Sequence, residues 1–352
     1  HYTTHTQINR ENLDDLEIAW IHRSGDYREG GNFKDGNNYP EEPLQTALQV
    51  TPILFNNALY YCTPFNRVFA LNPETGEELW SYDPEVNLEE YAVPRCRGVS
   101  AWTSSKIEPG QACQLRIIAP VVDARVVALD ALTGKPCTDF GNNGEVNLRE
   151  GLGEHPNYEY LLTTPPAIAG DLAIVGSAVT DNMSTTVPGG VVRAYDLNTG
   201  DLAWFWDPIP PGTEPTLTEE GQLYQRATTN VWSIMSFDPE LNLVYLPTGN
   251  TSPDYFGGLR DGSDYYSSSV VALHASTGEV AWHFQTVHHD IWDYDVPSQP
   301  TLYDVTMNGK VVKALAQTTK MGYIFLLDRE TGEPLFPVEE RPVPQGAVPG
   351  DY

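Results

Sequence analysis

Short apolar runs, each followed by the same polar turn, recur along the whole chain. Five copies consist of an apolar or alternating run, then Asp, Asn or His, two further residues and Thr-Gly. In four copies a Trp or Phe stands four residues after the glycine. Alternation with a period of two, and short apolar runs bounded by turns, predict β-strands. The turn glycines are Gly76, Gly134, Gly200, Gly278 and Gly332.

The recurring turn has the residues of a tight hairpin. An Asx side chain caps its own turn, and glycine accepts the positive φ that a bulged hairpin requires. The aromatic residue that follows begins the next strand, and we expect it to bury a large ring between neighbouring sheets. Trp80, Trp204 and Trp282 are therefore expected to be core residues of the sheets.

The spacing of these units indicates a β-propeller. The turn glycines are 58, 66, 78 and 54 residues apart, a further apolar strand lies upstream of each turn, and helical patterns are scarce. Sets of about four strands that repeat in this way are typical of propeller blades. We predict an all-β chain with about five blades. Residues 16–20, with the sequence LEIAW, are predicted to be a lone outer strand whose partners lie outside this chain.

Composition and charge narrow the range of partners. The 352 residues carry a formal net charge of −28. Phosphate backbones and anionic membrane surfaces would repel such a chain, so nucleic acid is excluded as a partner. No apolar run approaches the roughly 20 residues that span a bilayer. The chain opens on His1 and ends on a Pro- and Gly-rich stretch, so we expect a fragment of a longer protein.

The four cysteines leave their chemistry open. They are Cys62, Cys96, Cys113 and Cys137, and none forms a CxxC pair, which argues against a zinc site. Their even number allows disulfides, and Cys96 with Cys113 would close a local loop. Buried free thiols explain the sequence equally well, so the cysteines alone do not identify the redox compartment.

Residues 287–297, with the sequence VHHDIWDYDVP, form the most densely polar stretch of the chain. Its three aspartates repel one another unless a positive group lies among them. Asp290, His288 and His289 are expected to hold this loop by hydrogen bonds.

Several separated motifs together resemble one family. They are the repeated D-x-x-T-G-x-x-x-W turn, CRGVSAW, LPTGNTSPD, QTVHHDIWDYD and PVPQGAVPGDY. The chain is similar to the dehydrogenases that use pyrroloquinoline quinone (PQQ), particularly to their membrane-bound glucose, quinate and shikimate branch. The resemblance implies an eight-bladed propeller with PQQ over a divalent metal in its axial shaft, of which this chain holds about five blades. Residues 1–352 would then be one PQQ-binding domain, incomplete at its C-terminus.

The resemblance also implies an activity. The enzyme would oxidise a sugar, polyol or alcohol by hydride transfer to PQQ, with the metal as Lewis acid, and pass electrons to membrane ubiquinone. It would work in the periplasm, and any inner-membrane anchor would lie outside this chain. Ca²⁺ or Mg²⁺ would suit a site of oxygen ligands. A lanthanide stays open, because Asp295 is shared by lanthanide-dependent and sugar-oxidising members.

The resemblance assigns roles to four residues near the metal. Asp293 matches the catalytic aspartate, which implies that it is the general base and also touches the metal. Asp181, in GSAVTDN, and Asn250, in PTGNTSP, match an acidic and an amide-oxygen ligand. Lys320 would donate to the quinone oxygens and stabilise the reduced anion. We expect Lys320 to be buried in an apolar strand, where a lysine is costly unless it is paired.

Four further residues match positions that hold PQQ. Arg97 would bind carboxylate or quinone oxygens with its planar guanidinium. Thr163 and Gln49 would form hydrogen bonds to PQQ, although Gln49 replaces a carboxylate that is common in the family. Trp232 would be the flat floor on which the tricyclic ring stacks.

Two positions depart from the family pattern. Glucose-oxidising relatives have a histidine near the position of Val93, and Ala178 stands where some relatives have a PQQ-binding serine. Because that histidine borders the substrate, the substrate stays open. The alternatives are a non-catalytic propeller scaffold and the soluble, cytochrome-linked alcohol dehydrogenase branch. A scaffold has no need for the residues assigned above, and the soluble branch carries adjacent cysteines that this chain lacks.

Overall fold

Antiparallel sheets follow one another along the chain. A computed structural model describes residues 5–27, 46–91, 94–182, 184–260, 262–344 and 348–351. The helices within these residues are four 3₁₀ turns: Leu13–Asp15, Leu88–Glu90, Asn157–Glu159 and Gly257–Leu259. No helix in this part of the chain has the length and apolar character to cross a membrane. The prediction of an all-β chain is confirmed.

Five sheets carry the repeats and are called blades 1 to 5. Blade 1 contains β1 (Ile53–Phe55), β2 (Ala58–Cys62), β3 (Val68–Leu71) and β4 (Glu78–Tyr82). Blade 2 contains β5 (Ser100–Thr103), β6 (Leu115–Val121), β7 (Arg125–Asp130) and β8 (Glu145–Asn147). A small sheet of β9 (Tyr160–Leu161) and β12 (Ala178–Val179) accompanies blade 3, which contains β10 (Ala167–Ala169), β11 (Leu172–Val175), β13 (Val192–Asp196) and β14 (Leu202–Trp206).

The last two blades follow the same plan. Blade 4 contains β15 (Ser236–Asp238), β16 (Leu243–Pro247), β17 (Ser269–His274) and β18 (Val280–Gln285). Blade 5 contains three strands: β19 (Thr301–Met307), β20 (Lys310–Thr318) and β21 (Ile324–Asp328). Within every blade the strands pair antiparallel with their neighbours in chain order.

The recurring turn follows the third strand of every blade, as predicted. In blade 1, Asn72 Oδ1 accepts a hydrogen bond from Glu74 N at 2.8 Å, and the other turns use the same Asx cap where Asp replaces Asn. The five turn glycines have φ between 70° and 78°. Only glycine adopts this left-handed conformation without steric cost, which explains its recurrence.

The tryptophans after these turns pack on the turn of the next blade. Trp204 Nε1 donates to Ala275 O at 3.0 Å. Its ring lies so close to Gly278 that a Cβ on this glycine would be 2.5 Å from the ring. Equivalent contacts are made by Trp20, Trp80 and Trp282. The predicted burial of these rings is confirmed for Trp204 and Trp282, whereas Trp80 is partly buried against the cluster of blades 1 and 2.

One expectation about the repeat is wrong, and one is not tested by the described residues. Residues 16–20 pair with no strand here, and their predicted partners lie outside this chain. Trp20 Nε1 nevertheless donates to Pro73 O at 3.1 Å, so this ring contacts blade 1 as the other tryptophans contact their neighbours. The expectation of a buried aromatic ring after every turn is wrong. Phe336, which takes the tryptophan position after the last turn, is 56% exposed. An aromatic ring at this position is buried only where a following turn covers it.

Apolar side chains fill the space between consecutive blades. Four hydrophobic clusters join blades 1 and 2, 2 and 3, 3 and 4, and 4 and 5. Representative pairs across these interfaces are Tyr60 with Ile117, Ile118 with Ala173, Val192 with Val271, and Tyr245 with Leu315. The blades therefore pack face to face in chain order.

The cysteines form two disulfides, Cys62–Cys96 and Cys113–Cys137. The predicted pair of Cys96 with Cys113 is wrong, and so is the alternative of free thiols. Cys62 ends β2, and Cys96 lies in the segment that leads into blade 2, so this bond joins two neighbouring blades. Proximity across a blade interface cannot be read from spacing along the chain.

Candidate active site

The candidate residues gather at one end of the blades. In an antiparallel sheet, the start of the first strand and the loop between the second and third strands lie at the same end. One candidate precedes the first strand of each blade in turn: Gln49, Arg97, Thr163, Trp232 and Asp293. The loops between the second and third strands of blades 3, 4 and 5 carry one candidate each: Asp181, Asn250 and Lys320.

Hydrogen bonds link these segments from blade to blade. Thr51 N donates to Arg97 O at 3.1 Å, and Arg97 N donates to Thr163 O at 2.9 Å. The guanidinium carbon of Arg97 lies 5.0 Å from the centroid of the Trp232 ring. Trp232 Nε1 donates to Asp295 Oδ2 at 3.2 Å. Three residues predicted to bind the cofactor are therefore in contact with one another and with the aspartate loop.

Arg97 is suited to an anionic ligand. Its Nη1 donates to Thr163 Oγ1 at 2.5 Å and to Trp232 O at 3.5 Å, and both acceptors are neutral. Burial lowers the pKa of Arg97 to about 10, and the neighbouring charge of Arg95 adds to this effect. A partly buried guanidinium with neutral partners gains from an anion, because paired charges that are shielded from water cost less than unpaired ones. This region fits the carboxylates of PQQ.

A lysine joins two aspartates of the polar loop. Lys320 Nζ lies 3.0 Å from Asp293 Oδ1 and 2.9 Å from Asp295 Oδ2. Both aspartates face the same lysine, although Asp293 has a φ of 59° and the segment is therefore not regularly extended. The prediction that Lys320 is buried in a strand is wrong. Lys320 lies in the turn between β20 and β21 with its side chain 32% exposed, and a turn lets its ammonium group reach both carboxylates.

Buried Asp290 shapes the turn that presents Asp293. Its carboxylate accepts hydrogen bonds from Trp292 N at 2.9 Å, Tyr294 N at 2.8 Å and Ser268 Oγ at 2.6 Å. The left-handed backbone of Asp293 costs about 1 kcal/mol or more and persists only where its surroundings enforce it. The predicted loop-holding role of Asp290 is confirmed.

The two histidines anchor the same loop to its surroundings. His289 lies between two carboxylates, with Nδ1 3.0 Å from Asp264 Oδ2 and Nε2 2.9 Å from Asp351 Oδ1. His288 Nδ1 lies 2.7 Å from Glu340 Oε1. Both histidines thus hold the loop, as expected from the sequence.

Asn250 connects the loop of blade 4 to the aspartates of blade 5. The residue is fully buried, and its backbone N donates to Asp295 Oδ1 at 2.5 Å. Its side-chain Oδ1 accepts hydrogen bonds from Thr251 N at 2.9 Å and Ser267 Oγ at 2.8 Å. The predicted ligand oxygen therefore already has two donors, and the Thr251 hydroxyl beside it is buried without a partner in the described residues.

A further carboxylate, that of Asp254, was not predicted from the sequence. Asp254 N donates to Asp181 O at 3.2 Å, and Asn182 Nδ2 donates to Asp254 Oδ2 at 2.6 Å. Asn230 Nδ2 donates to Asp181 Oδ2 at 2.8 Å. Among the residues that the structure describes, Asp254 Oδ1 and Asn230 Oδ1 are buried without a hydrogen-bond partner. The available signal was the position of Asp254 in the same motif as Asn250, LPTGNTSPD.

Asp181, Asp254, Asp293 and Asp295 are called the acidic cluster. Burial raises the pKa of Asp254 to about 8, and the charges of the other three aspartates add to the increase. Burial raises the pKa of Asp295 to about 7, although Lys320 opposes this shift. Burial also raises the pKa of Asp181 to about 6, against the hydrogen bond from Asn230. Buried carboxylates with too little positive charge behave in this way, and a bound cation would relieve the repulsion.

Buried Arg260 ties the two loops of this cluster together. Its Nη2 donates to Pro253 O at 2.9 Å and to Asp254 O at 2.7 Å. Its Nη1 donates to Asp290 O on the other loop. Arg260 Nη1 also lies 3.9 Å from Asp264 Oδ2. The charge of Arg260 opposes the rise in the pKa of Asp254 that burial and the neighbouring aspartates cause.

Three positions considered in the sequence analysis remain: Gln49, Ala178 and Val93. Gln49 is exposed, two residues before Thr51, which is bonded to Arg97. Ala178 begins β12 and pairs with Leu161. Val93 lies outside the described residues.

Comparison with known proteins identifies the family of this chain. The profile of the PQQ family described as "Glucose/ethanol/alcohol dehydrogenase, beta-propeller domain" matches residues 1–352. The chain belongs to this family of PQQ-dependent dehydrogenases. It is 41% identical to the quinoprotein glucose dehydrogenase of Escherichia coli K12 over 98% of the chain. It is also 41% identical to the quinate/shikimate dehydrogenase (quinone) of Acinetobacter baylyi over 98% of the chain.

The relatives are longer than this PQQ-dependent dehydrogenase chain, which spans 43% of the length of each of these two. Among solved structures, the quinohemoprotein alcohol dehydrogenase ADHIIG of Pseudomonas putida HK5 superposes with a TM-score of 0.67 at 29% identity. The alignment covers 82% of this chain and 41% of that one. The predicted propeller architecture is confirmed.

Proposed function

We propose that the protein oxidises an alcohol group of a sugar, cyclic polyol or related alcohol, with PQQ as cofactor and Ca²⁺ or Mg²⁺ as the metal. The observation that carries this proposal is the contact of the Trp232 and Lys320 side chains with Asp295, which puts the Arg97 region next to the acidic cluster. One region suits an anionic, flat ligand, and the other suits a cation. Similarity to enzymes named for glucose, quinate and shikimate supports a polyhydroxylated substrate.

Asp293 is the proposed general base. Its side chain is 28% exposed, whereas that of Asp295 is 9% exposed, so Asp293 is the more accessible to a substrate hydroxyl. Lys320 orients its Oδ1, and the turn built on Asp290 fixes its backbone. A carboxylate held in this way can accept the hydroxyl proton while the adjacent C–H bond breaks. The ammonium group of Lys320 would stabilise negative charge on oxygen at the same place.

The cofactors would be held by the residues already described. Arg97, Thr163 and Gln49 would bind the oxygens of PQQ, and Trp232 would support its ring system. Asp181, Asn250 and Asp293 would offer the metal oxygen ligands, which Ca²⁺ and Mg²⁺ prefer. When bound, PQQ supplies the two-electron acceptor and the metal supplies Lewis acidity, neither of which protein side chains provide.

A periplasmic location and membrane ubiquinone as the electron acceptor complete the proposal. Two disulfides among the described residues support an oxidising compartment. The name of the Acinetobacter relative includes a quinone, which supports a quinone acceptor for this protein.

Reconstitution of the full-length protein with PQQ and Ca²⁺ tests this function. We expect dye-linked oxidation of at least one of glucose, quinate and short alcohols. Asp293→Asn should reduce turnover by about a thousandfold or more, since it removes the base, while PQQ absorbance stays with the protein. Asp304→Asn, on the exposed side of blade 5, is the control and should keep full turnover. A wild-type protein that binds no PQQ and oxidises none of the substrates would favour a scaffold instead.

A further inference from the structure

The carboxylate of Asp254 is left without a role by the function proposed above. The residue is 1% exposed and lies in the same loop as Asn250, between β16 and β17. Its Oδ2 accepts a hydrogen bond from Asn182 Nδ2 at 2.6 Å, and its Oδ1 is buried without a partner within the described residues. A buried carboxylate with one hydrogen bond is costly, so it is retained only where something compensates its charge.

Repulsion from the neighbouring aspartates outweighs the partial compensation that Arg260 supplies to Asp254. Its backbone N bonds to the carbonyl of Asp181, which places two aspartates of the acidic cluster side by side. Buried Arg260 donates to the carbonyl oxygens of Pro253, Asp254 and Asp290. Lys320 contacts Asp293 and Asp295.

Other buried oxygens near Asp254 are also unpaired. Asn230 Oδ1 and Thr251 Oγ1 have no partner in the described part of the chain. Asn230 is bonded to Asp181 through its Nδ2, and Thr251 is bonded to Asn250 through its backbone N. Ca²⁺ takes six to eight oxygen ligands, more than Asp181, Asn250 and Asp293 provide as single donors.

We propose that Asp254 is a further carboxylate ligand of the metal ion in this site. The inference rests on the proposed function, which requires that ion. A cation bound there would compensate the charge of Asp254 and coordinate its Oδ1, which has no hydrogen-bond partner among the described residues.

Calcium binding to the PQQ-loaded full-length protein tests the inference. Isothermal titration calorimetry should show that Asp254→Asn weakens Ca²⁺ binding tenfold or more. Asp207→Asn is the matched control, because Oδ1 of Asp207 is also buried without a partner among the described residues but lies outside the cluster. This variant should bind Ca²⁺ within twofold of the wild type. Equal Ca²⁺ affinity of Asp254→Asn and the wild type would overturn the inference while leaving the proposed function intact.

Stability with and without Ca²⁺ separates a ligand from a structural residue. Without Ca²⁺, Asp254→Asn should unfold at the same or a higher temperature than the wild type, because it removes an uncompensated charge. With saturating Ca²⁺ the order should reverse. A merely structural Asp254 would destabilise the variant equally in both conditions, which would overturn the inference. A wild-type protein that binds PQQ but no Ca²⁺ would overturn both the inference and the proposed metal.

Discussion

Lys320 Nζ lies 2.9 Å from Asp295 Oδ2, across 25 residues of sequence. The same ammonium group contacts Asp293. Partial burial acts to lower the pKa of Lys320, but Asp295 and Asp293 raise it above its ordinary value. Lys320 therefore stays protonated at neutral pH and is the cation that contacts both aspartates. It connects the turn of blade 5 to the proposed base.

Removing this ammonium group should impair turnover more than cofactor binding. Lys320→Met is expected to lower kcat by about a hundredfold to a thousandfold, the usual effect of deleting one preorganised charge. The measurement is dye-linked turnover together with PQQ content. Lys313→Met removes a lysine from β20 that pairs with Glu240, and it should keep kcat within twofold. Equal activity of the two variants would contradict the role of Lys320.

The contact of Trp204 with Gly278 predicts a position-specific loss of stability. In Gly278→Ala the new Cβ would meet the Trp204 ring at 2.5 Å, at a φ of 76°. We expect the free energy of unfolding in urea to fall by about 3 kcal/mol, from left-handed strain plus overpacking. Gly212→Ala has a φ of 78° with no atom within 4 Å, and should lose only about 1 kcal/mol. A similar loss for both would show that the tryptophan contact is unimportant.

The Cys62–Cys96 disulfide should matter for the cofactor as well as for stability. It closes a separation of 34 residues, and Cys96 directly precedes Arg97. Replacing both cysteines by serine should lower the free energy of unfolding by about 3–4 kcal/mol, because the unfolded chain is no longer constrained. It should also weaken PQQ binding, because the segment that carries Arg97 loses its tether.

The second disulfide provides the control for this experiment. Cys113–Cys137 closes a separation of 24 residues, so replacing it by serines should cost a similar amount of stability, about 3–4 kcal/mol. It adjoins none of the proposed cofactor residues, and PQQ affinity measured by absorbance titration should be unchanged. A loss of PQQ affinity in both double variants would indicate general destabilisation.

Asp207 predicts a pH dependence of stability outside the acidic cluster. Its Oδ2 accepts a hydrogen bond from Gln225 N at 2.7 Å, and burial raises the pKa of Asp207 to about 6. Because the folded pKa exceeds the unfolded value, the folded state binds more protons between about pH 4 and pH 6. Asp207 therefore contributes favourably to the free energy of unfolding below about pH 4, and this contribution is lost as the pH rises through about 6.

Replacing Asp207 by asparagine should remove this dependence. From pH 4.5 to pH 7.5 the wild type should lose about 1–2 kcal/mol of unfolding free energy relative to Asp207→Asn. Urea unfolding at several pH values gives this difference directly. A difference between the two proteins that does not change with pH would contradict the assignment.

The local pattern was enough to predict the strands and the turns that join them. Period-two alternation reflects which face of a strand is buried, and the Asx-x-x-Thr-Gly turn depends on local backbone conformation. Both signals therefore come from residues that are close together in the sequence. The family motifs also gave Arg97, Trp232, Asp293 and Lys320 as candidate site residues. The contacts of these residues are visible only in the structure.

Contacts between distant segments were decided only by the tertiary structure. The pairing of Cys62 with Cys96 depends on how blade 1 packs on blade 2, and neither the spacing nor the number of cysteines contains that information. Lys320 was expected in a strand because its apolar neighbours dominate the pattern, whereas the position of the turn after β20 lets it reach two aspartates. In the sequence, Asp254 cannot be distinguished from an ordinary loop aspartate. Its charge is costly because the fold buries it beside Asp181. Sequence thus determined the elements and the residue types of the site, and packing determined which charges meet, because electrostatic cost depends on burial and on distance in space.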